Sequence, residues 1–379
     1  MASPGTANDP APSTYPKTMK AWVHTSKGSP EKVLILSHDV PAPDPPTGDE
    51  VVVRISHAAL NPGGSIMMQI CPMIFRAKPA IPEMDFAGTI VQVNQYISET
   101  KSLNVGTEVF GSVPVGAHIR GGKGSLAEFV VLDAENVCVK PENMSLEEAA
   151  GLPVAGCTAL ALVEAAKLQE GMTVLINGAS GGIGSMAVQM AKSAVGKSGK
   201  IIAICSKANI EMVKGLGADE VIDYQENTPV HKFLATEFGN DKFDVVMDAF
   251  GVQEIFHNCE GYLKPEKTYI SVGPAMPKYS MGAIFYSLGQ MASNFLWPRF
   301  LGGPNRPYIQ VAATSTLEEI QRLAHLVEEG KLRVPIDSCW DLVDALKAYE
   351  MVLSRRARGK VIAEARLQVT NVNNPLLSR

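Results

Sequence analysis

Short apolar runs broken by proline and glycine set the rhythm of the first 150 residues. Lys20–His24, Glu50–Ser56, Asp85–Val93, Val105–Gly111 and Ser125–Leu132 read as β-strands, with the segment Pro41-Ala-Pro-Asp-Pro-Pro46 as a linker. Glycines at the bends predict a small, partly open barrel, all β. Near residue 145 the pattern changes. Ser145 followed by Glu148 forms a capping box. Beyond it, helical runs (158–166, 185–194, 208–216) alternate with strand-like runs (173–176, 200–205, 220–222, 243–248, 268–272), the signature of a doubly wound parallel sheet. After a run at 309–313, amphipathic patterns over 317–327 and 342–351 and a closing strand at 360–363 are expected to pack back onto the first domain. The predicted fold is therefore α/β: a flexible tail at 1–18, a discontinuous β-barrel domain at 19–150 and 313–379, and a nucleotide-binding domain at 151–312.

One segment falls outside this rhythm. In 281–300, Ile284, Leu288, Met291 and Phe295 lie on one helical face. It reads as a buried or dimer-interface helix, as a mobile lid over an apolar substrate, or as a peripheral membrane contact. Polar residues interrupt every 18-residue window, so no membrane span is predicted.

Composition narrows the partners. In 379 residues, 46% hydrophobic and 19% charged, a net charge of −5 without a basic cluster argues against nucleic acid and for a small ligand. The six cysteines are scattered with no Cys-x-x-Cys pair, so neither a disulfide framework nor a zinc ribbon is suggested, and a reducing, cytoplasmic setting is the expectation. The seven histidines are isolated and no Gly-x-Ser-x-Gly elbow occurs, which leaves metal and serine-hydrolase chemistry unsupported.

The strand at 173–176 runs into Gly178, Ala179, Ser180, Gly181, Gly182, Ile183 and Gly184, and then into a helical stretch. Glycines permit a sharp turn and close approach of a pyrophosphate, which the free N–H groups and positive end of the helix favour. The following strand ends at Ser206-Lys207, 22 residues after Gly184, where a carboxylate would read the free ribose of NAD. A hydroxyl and an ammonium favour the 2′-phosphate of NADP instead, with Tyr224 after the next strand as a third candidate. Phe250 and Gly251, and Val272 and Gly273, follow strands whose carboxyl ends should line the same crevice.

These motifs resemble a family. Leu60-Asn-Pro62, Asp85-Phe-Ala-Gly88, Leu152-Pro-Val-Ala-Gly-Cys-Thr-Ala159, Asn177–Gly184, Leu216–Tyr224 and Arg358-Gly-Lys360 together resemble the medium-chain dehydrogenase/reductases, in the zinc-free quinone oxidoreductase and enoyl reductase branch. Within it the chain is similar to the chloroplast-envelope quinone oxidoreductase-like proteins. The resemblance implies a GroES-like catalytic domain plus a Rossmann domain, a homodimer or monomer, and NADPH in the cleft. It further implies that Asn61 and Thr158 lie beside the nicotinamide. Zinc-dependent members carry ligands where this chain has Asn61, Met84 and Val154, and the four-cysteine lobe expected after Gly111 is missing. Cys157 is out of register with the lost ligand and reads as a packing residue. A tyrosine common about 11 residues after the Asn is replaced by Pro72, and the basic residue usual beyond Ser206 by Ala208 and Asn209.

The expected activity is zinc-independent reduction by NADPH of the C=C bond of an apolar α,β-unsaturated carbonyl, or of a quinone. Asn61 and Thr158 would help hold the enolate, and water would supply the proton. Met67, Met68, Met73, Ile74 and Phe75 are the apolar residues expected near the substrate. The alternative is a nucleotide-binding protein of the same fold with a redox-neutral or non-catalytic role.

Overall fold

In the computed structural model, residues 15–276, 281–296, 303–312 and 314–365 are described here. The first strands are β1 (Thr18–Val23), β2 (Ile35–Pro41), β3 (Glu50–Leu60), β4 (Asp85–Val93), β5 (Glu108–Ser112), β6 (Phe129–Asp133) and β7 (Val137–Val139). Next come β8 (Thr173–Asn177), β9 (Lys200–Cys205), β10 (Glu220–Asp223), β11 (Val245–Asp248), β12 (Tyr269–Ser271) and β13 (Tyr308–Gln310). The chain closes with β14 (Ile336–Asp341) and β15 (Lys360–Glu364).

Strands β8 to β13 form a six-stranded sheet in the order β10-β9-β8-β11-β12-β13, every pairing parallel. The short strands Val-Leu-Ile of β8 and Ile-Ile-Ala-Ile of β9 are buried on both faces, as helix-covered parallel strands must be. The order reverses between β8 and β11, and a crevice at such a switch point, beyond the carboxyl ends, is where ligands bind.

A second sheet runs β14-β15-β3-β4-β5-β7, with β6 also paired to β3. Only its β14–β15 pair is parallel, with the helix Ala345–Ser354 between them in sequence. Val51, Val52, Val53, Phe86 and Ile90, none with measurable exposure, fill its core. The C-terminal strands thus join the sheet begun by β3, because the apolar face of β15 can be buried only against it.

Between the sheets lie the helices Leu146–Gly151, Pro153–Ala166 and Leu317–Glu328. Their Ala149, Leu152, Leu160 and Leu323 share one cluster with Met186 and Ile362. Fully burying a Leu or Ile contributes about 1.5 to 3 kcal/mol, so this shared cluster fixes the walls of the crevice against each other. The Ser145–Glu148 capping box forms, starting the first of these helices.

Several details depart from the sequence reading. The first 150 residues also contain helices at Pro62–Ile70, Gln95–Lys101 and Val115–Gly121. Gly63 and Gly64 disguised the first of them, yet Gly64 is required, since a Cβ there would lie 2.1 Å from a Glu83 carboxylate oxygen. Of the segment read as a tail, Tyr15 is buried and stacked on Phe129 at 5.2 Å, and Thr18 begins β1; residues 1–14 lie outside the described residues. Met68 is buried in the barrel core, not facing a ligand, whereas Ile74 and Phe75 are exposed. The segment at 281–300 does form a helix, Met281–Leu296, but in this chain Leu288 and Phe295 are 52% and 58% exposed, so the buried reading does not hold. Residues 297–300 lie outside the described residues. No described helix is long and apolar enough to cross a membrane.

Candidate functional site

The glycine turn after β8 is shaped as an anion cradle. Gly178 has φ +72°, and the helix Gly182–Val195 starts from Gly181 with no side chain capping its first N–H groups. Those donors are left for a ligand. A Cβ on Gly184 would sit 2.2 Å from the carbonyl oxygen of Gly178, so the helix can approach the strand this closely only without a side chain. Ala179 is buried in the sheet core, and Ile183 packs against the same cluster. The Ser180 carbonyl accepts from Gly359 N–H at 2.9 Å, which ties the turn to the start of β15.

Across the switch point, Asp248 organises the neighbouring loop. Its carboxylate accepts from the Asn177 amide (2.8 Å), the backbone N–H groups of Phe250, Gly251 and Val252, and the Tyr269 hydroxyl (2.7 Å). Phe250 is thereby held half-exposed at the cleft, under the Arg355 guanidinium at 5.9 Å. Gly251 and Gly273 meet back to back, for a Cβ on Gly251 (φ +92°) would fall 1.9 Å from the Gly273 carbonyl oxygen. Val272 N–H donates to Asp248 O at 3.1 Å, so the loops after β11 and β12 advance together.

The predicted 2′-phosphate residues do converge. Asp223 pairs with Cys205, and Tyr224 N–H donates to Cys205 O at 3.1 Å, which brings Tyr224 beside Ser206 and Lys207. Asn209 reaches from the same loop to the Ser180 hydroxyl at 2.9 Å. Lys207, however, is paired with Glu226 at 2.5 Å, a partner the sequence reading did not anticipate, and this carboxylate raises the Lys207 pKa.

The floor of the cleft is a buried polar network centred on Asn61. Its backbone N–H donates to Glu83 at 3.0 Å, its Nδ2 donates to Asp85 at 3.0 Å, and its Oδ1 accepts from the Lys360 ammonium. The second Nδ2 hydrogen has only Ala59 O, at 3.4 Å. Asp85 also accepts from Val154 N–H at 3.3 Å, at the start of the helix that carries Thr158. Thr158 Oγ1 donates to Val154 O at 2.7 Å, so its own hydrogen is committed to its helix. Tyr349 donates to the other oxygen of Glu83 at 2.7 Å. Glu83, Asp85 and Lys360 are 1%, 0% and 4% exposed. Lys360 also joins the floor to the glycine turn, because a Cβ on Gly182 would lie 2.9 Å from its Cδ.

Burial dominates the electrostatics here. It pushes the Glu83 carboxyl up to about 7, against the bonds from Tyr349 and the Asn61 N–H and the pull of Lys360. It raises Asp85 and lowers Lys360 as well, each opposed by the other's charge. Folded Glu83 therefore holds its proton more tightly than the unfolded chain, whose carboxyl titrates near 4.5. Its contribution to stability is present below 4.5 and lost as pH rises through about 7. Glu83→Gln, which cannot ionise, is expected to gain on the wild type by on the order of 3 kcal/mol over that interval. Urea denaturation of both proteins at pH 5 and pH 8 measures the difference.

Sequence reasoning named Asn61 and Thr158 but gave Glu83, Tyr349 and Lys360 no role. The available signals were two acids flanking Met84 at the entry to β4, and a lysine opening the otherwise apolar run Val361-Ile-Ala363.

A doubly wound sheet with a glycine turn at its switch point, facing a barrel sheet across a polar cleft, defines a pyridine-nucleotide oxidoreductase. The chain belongs to the medium-chain dehydrogenase/reductase superfamily: residues 47–142 match the alcohol dehydrogenase GroES-like domain and residues 216–362 the zinc-binding dehydrogenase family. It is 32% identical over 376 residues to a trans-enoyl reductase of Penicillium oxalicum, covering 91% of this chain and 97% of that protein. It is 35% identical over 341 residues to the chloroplast envelope quinone oxidoreductase homolog of Arabidopsis thaliana, covering 87% and 94%. Among solved structures, the quinone oxidoreductase from Coxiella burnetii superposes with a TM-score of 0.71 at 27% identity, over 92% of this chain and 99% of that one. The two folds are thus a Rossmann sheet and a GroES-like barrel.

Proposed function

We propose that this protein is a zinc-independent, NADPH-dependent reductase of the C=C bond of an apolar enone or enoyl compound. The observation that carries this reading is the buried ammonium of Lys360 bonded to the Asn61 amide. In zinc-dependent relatives the positions of Asn61, Met84 and Val154 hold metal ligands; here they offer an amide, a thioether and a backbone N–H already given to Asp85. The ammonium bonded to Asn61 repels a metal cation there.

The cradle fits the cofactor: a 14-residue helix whose first N–H groups no side chain caps faces the crevice. Gly178–Gly184 would hold the pyrophosphate, and Phe250, Gly251, Val272 and Gly273 would flank the nicotinamide half. When bound, NADPH supplies hydride to the β-carbon. Lys360 polarises the Asn61 amide by donating to its Oδ1, and the Nδ2 hydrogen held weakly by Ala59 is the one free to meet the enolate oxygen. Thr158, committed to Val154, serves by shaping the wall. Without a metal to polarise an isolated carbonyl, conjugate addition of hydride is chemically easier than ketone reduction, and solvent water would deliver the proton. Exposed Ile74 and Phe75 are consistent with an apolar substrate.

At the adenosine end, Ser206, Lys207 and Tyr224 would take the 2′-phosphate once Lys207 releases Glu226. Lys207→Glu is expected to lower the preference for NADPH over NADH by about tenfold, and Glu226→Gln to raise it; equal ratios in all three proteins would remove Lys207 from the site. The function itself is tested by following NADPH oxidation with a panel of enones, quinones and saturated ketones. Turnover on the enones is expected. Cofactor binding with no turnover on any acceptor would favour a redox-neutral role.

A further inference from the structure

β3, β15 and β14 lie side by side, with His57 opposite Glu364 and Cys339 opposite Ile362. Alternation along β15 places residues 362 and 364 on one face, so the three side chains of His57, Glu364 and Cys339 share it. A nitrogen, a carboxylate oxygen and the sulfur from these residues lie within 4.8 Å of one another, the only such group among the described residues. Along both strands they stand four residues from Asn61 and Lys360, roughly 13 Å away, outside the cleft network.

The imidazole is held in the form a metal requires. Ser56 Oγ donates its single hydrogen to Ala87 O at 3.1 Å, so its 3.1 Å contact with His57 Nδ1 is one in which Nδ1–H donates. That leaves the lone pair on Nε2, and the Ser56 contact is the kind of outer hydrogen bond that orients a ligating histidine.

We infer that His57, Cys339 and Glu364 form a binding site for a divalent cation of borderline softness, Zn²⁺ foremost. A thiolate and a carboxylate neutralise the two positive charges and an imidazole completes a three-residue set, with Glu147, which acts electrostatically on His57, or a water as the fourth donor. The ion replaces the proton of Cys339, which passes to solvent, and no electron moves. Because each ligand stands on a different strand, the bound ion clamps the C-terminal pair β14–β15 onto β3. It acts on stability and not on hydride transfer.

The full chain, freed of metal with a chelator, is titrated with Co²⁺ and then Zn²⁺. The expected result is one Co²⁺ per chain with thiolate-to-metal charge-transfer absorption, bleached by Zn²⁺, and a higher Tm with Zn²⁺. Cys339→Ser should abolish the absorption and Glu364→Gln should weaken binding at least about tenfold. Cys71→Ser, at the other cysteine that is not buried, should change neither. No thiolate band in the wild type, or an undiminished band in Cys339→Ser, overturns the site.

Discussion

Lys360→Met is expected to destabilise the protein by about 3 to 5 kcal/mol at neutral pH, since it strips from Asp85 and Glu83 the buried ammonium whose charge favours their ionised forms. The methionine fills nearly the same volume, so the loss reports charge and not packing. The penalty should shrink as pH falls, because burial already raises both carboxyls and their protonation removes the unpaired charge. Adding Asp85→Asn to Lys360→Met should recover part of the stability at pH 7, a coupling that a double-mutant cycle in urea measures. Strictly additive effects of the two substitutions would mean that the floor of the cleft is not one electrostatic unit. Activity should fall with Lys360→Met as well, for Asn61 then loses the donor to its Oδ1.

Gly182→Val should lower NADPH affinity at least about 100-fold, near 3 kcal/mol, while the protein stays folded. The new Cβ meets the Lys360 stem, Cδ at 2.9 Å and Cγ at 3.7 Å, and the Gly359 carbonyl oxygen at 3.5 Å, so it crowds the start of the helix without striking the backbone of the turn. Gly184→Val is the contrast. There the Cβ strikes the Gly178 backbone at 2.2 Å, and the turn itself cannot close. Circular dichroism and cofactor titration separate the two: the first variant is expected to lose binding alone, the second binding and fold together. Unchanged affinity in Gly182→Val would sink the assignment of the cradle.

What could be read from the sequence was local. The strand-turn-helix at 173–184, the alternation after residue 145 and the Ser145–Glu148 cap all lie within a few neighbouring residues, where backbone preference and periodicity act directly. The residue types at 61, 84 and 154, on which the proposal of a zinc-free site rests, were legible too, because each is read directly from the chain. The network joining them was not. Asn61, Glu83, Asp85, Tyr349 and Lys360 come together only when β15 closes against β3 and the helix Ala345–Ser354 seats Tyr349 in the barrel core. A lysine opening the apolar run Lys360-Val-Ile-Ala363 hints that its charge is buried, but names none of its partners.

The same limit governs the periphery. Lys207 was proposed for the 2′-phosphate from its place after β9, but its partner Glu226 is 19 residues away and reaches it only because β10 lies beside β9. His57, Cys339 and Glu364 have no motif spacing at all, and the register of three strands alone brings them together. In the other direction, Met68 looked like a substrate contact because it sits in a methionine-rich stretch, while the helix Pro62–Ile70 turns it into the core.

The central claim concerns where the hydride goes. NADPH deuterated at C4 of the nicotinamide, mixed with the protein and a simple apolar enone in ordinary water, should yield the saturated ketone with one deuterium on the β-carbon. The hydrogen on the α-carbon should come from solvent, as a parallel run in heavy water would register. Deuterium on the carbonyl carbon, giving an allylic alcohol, or binding of the cofactor with no transfer to any enone, would contradict the account.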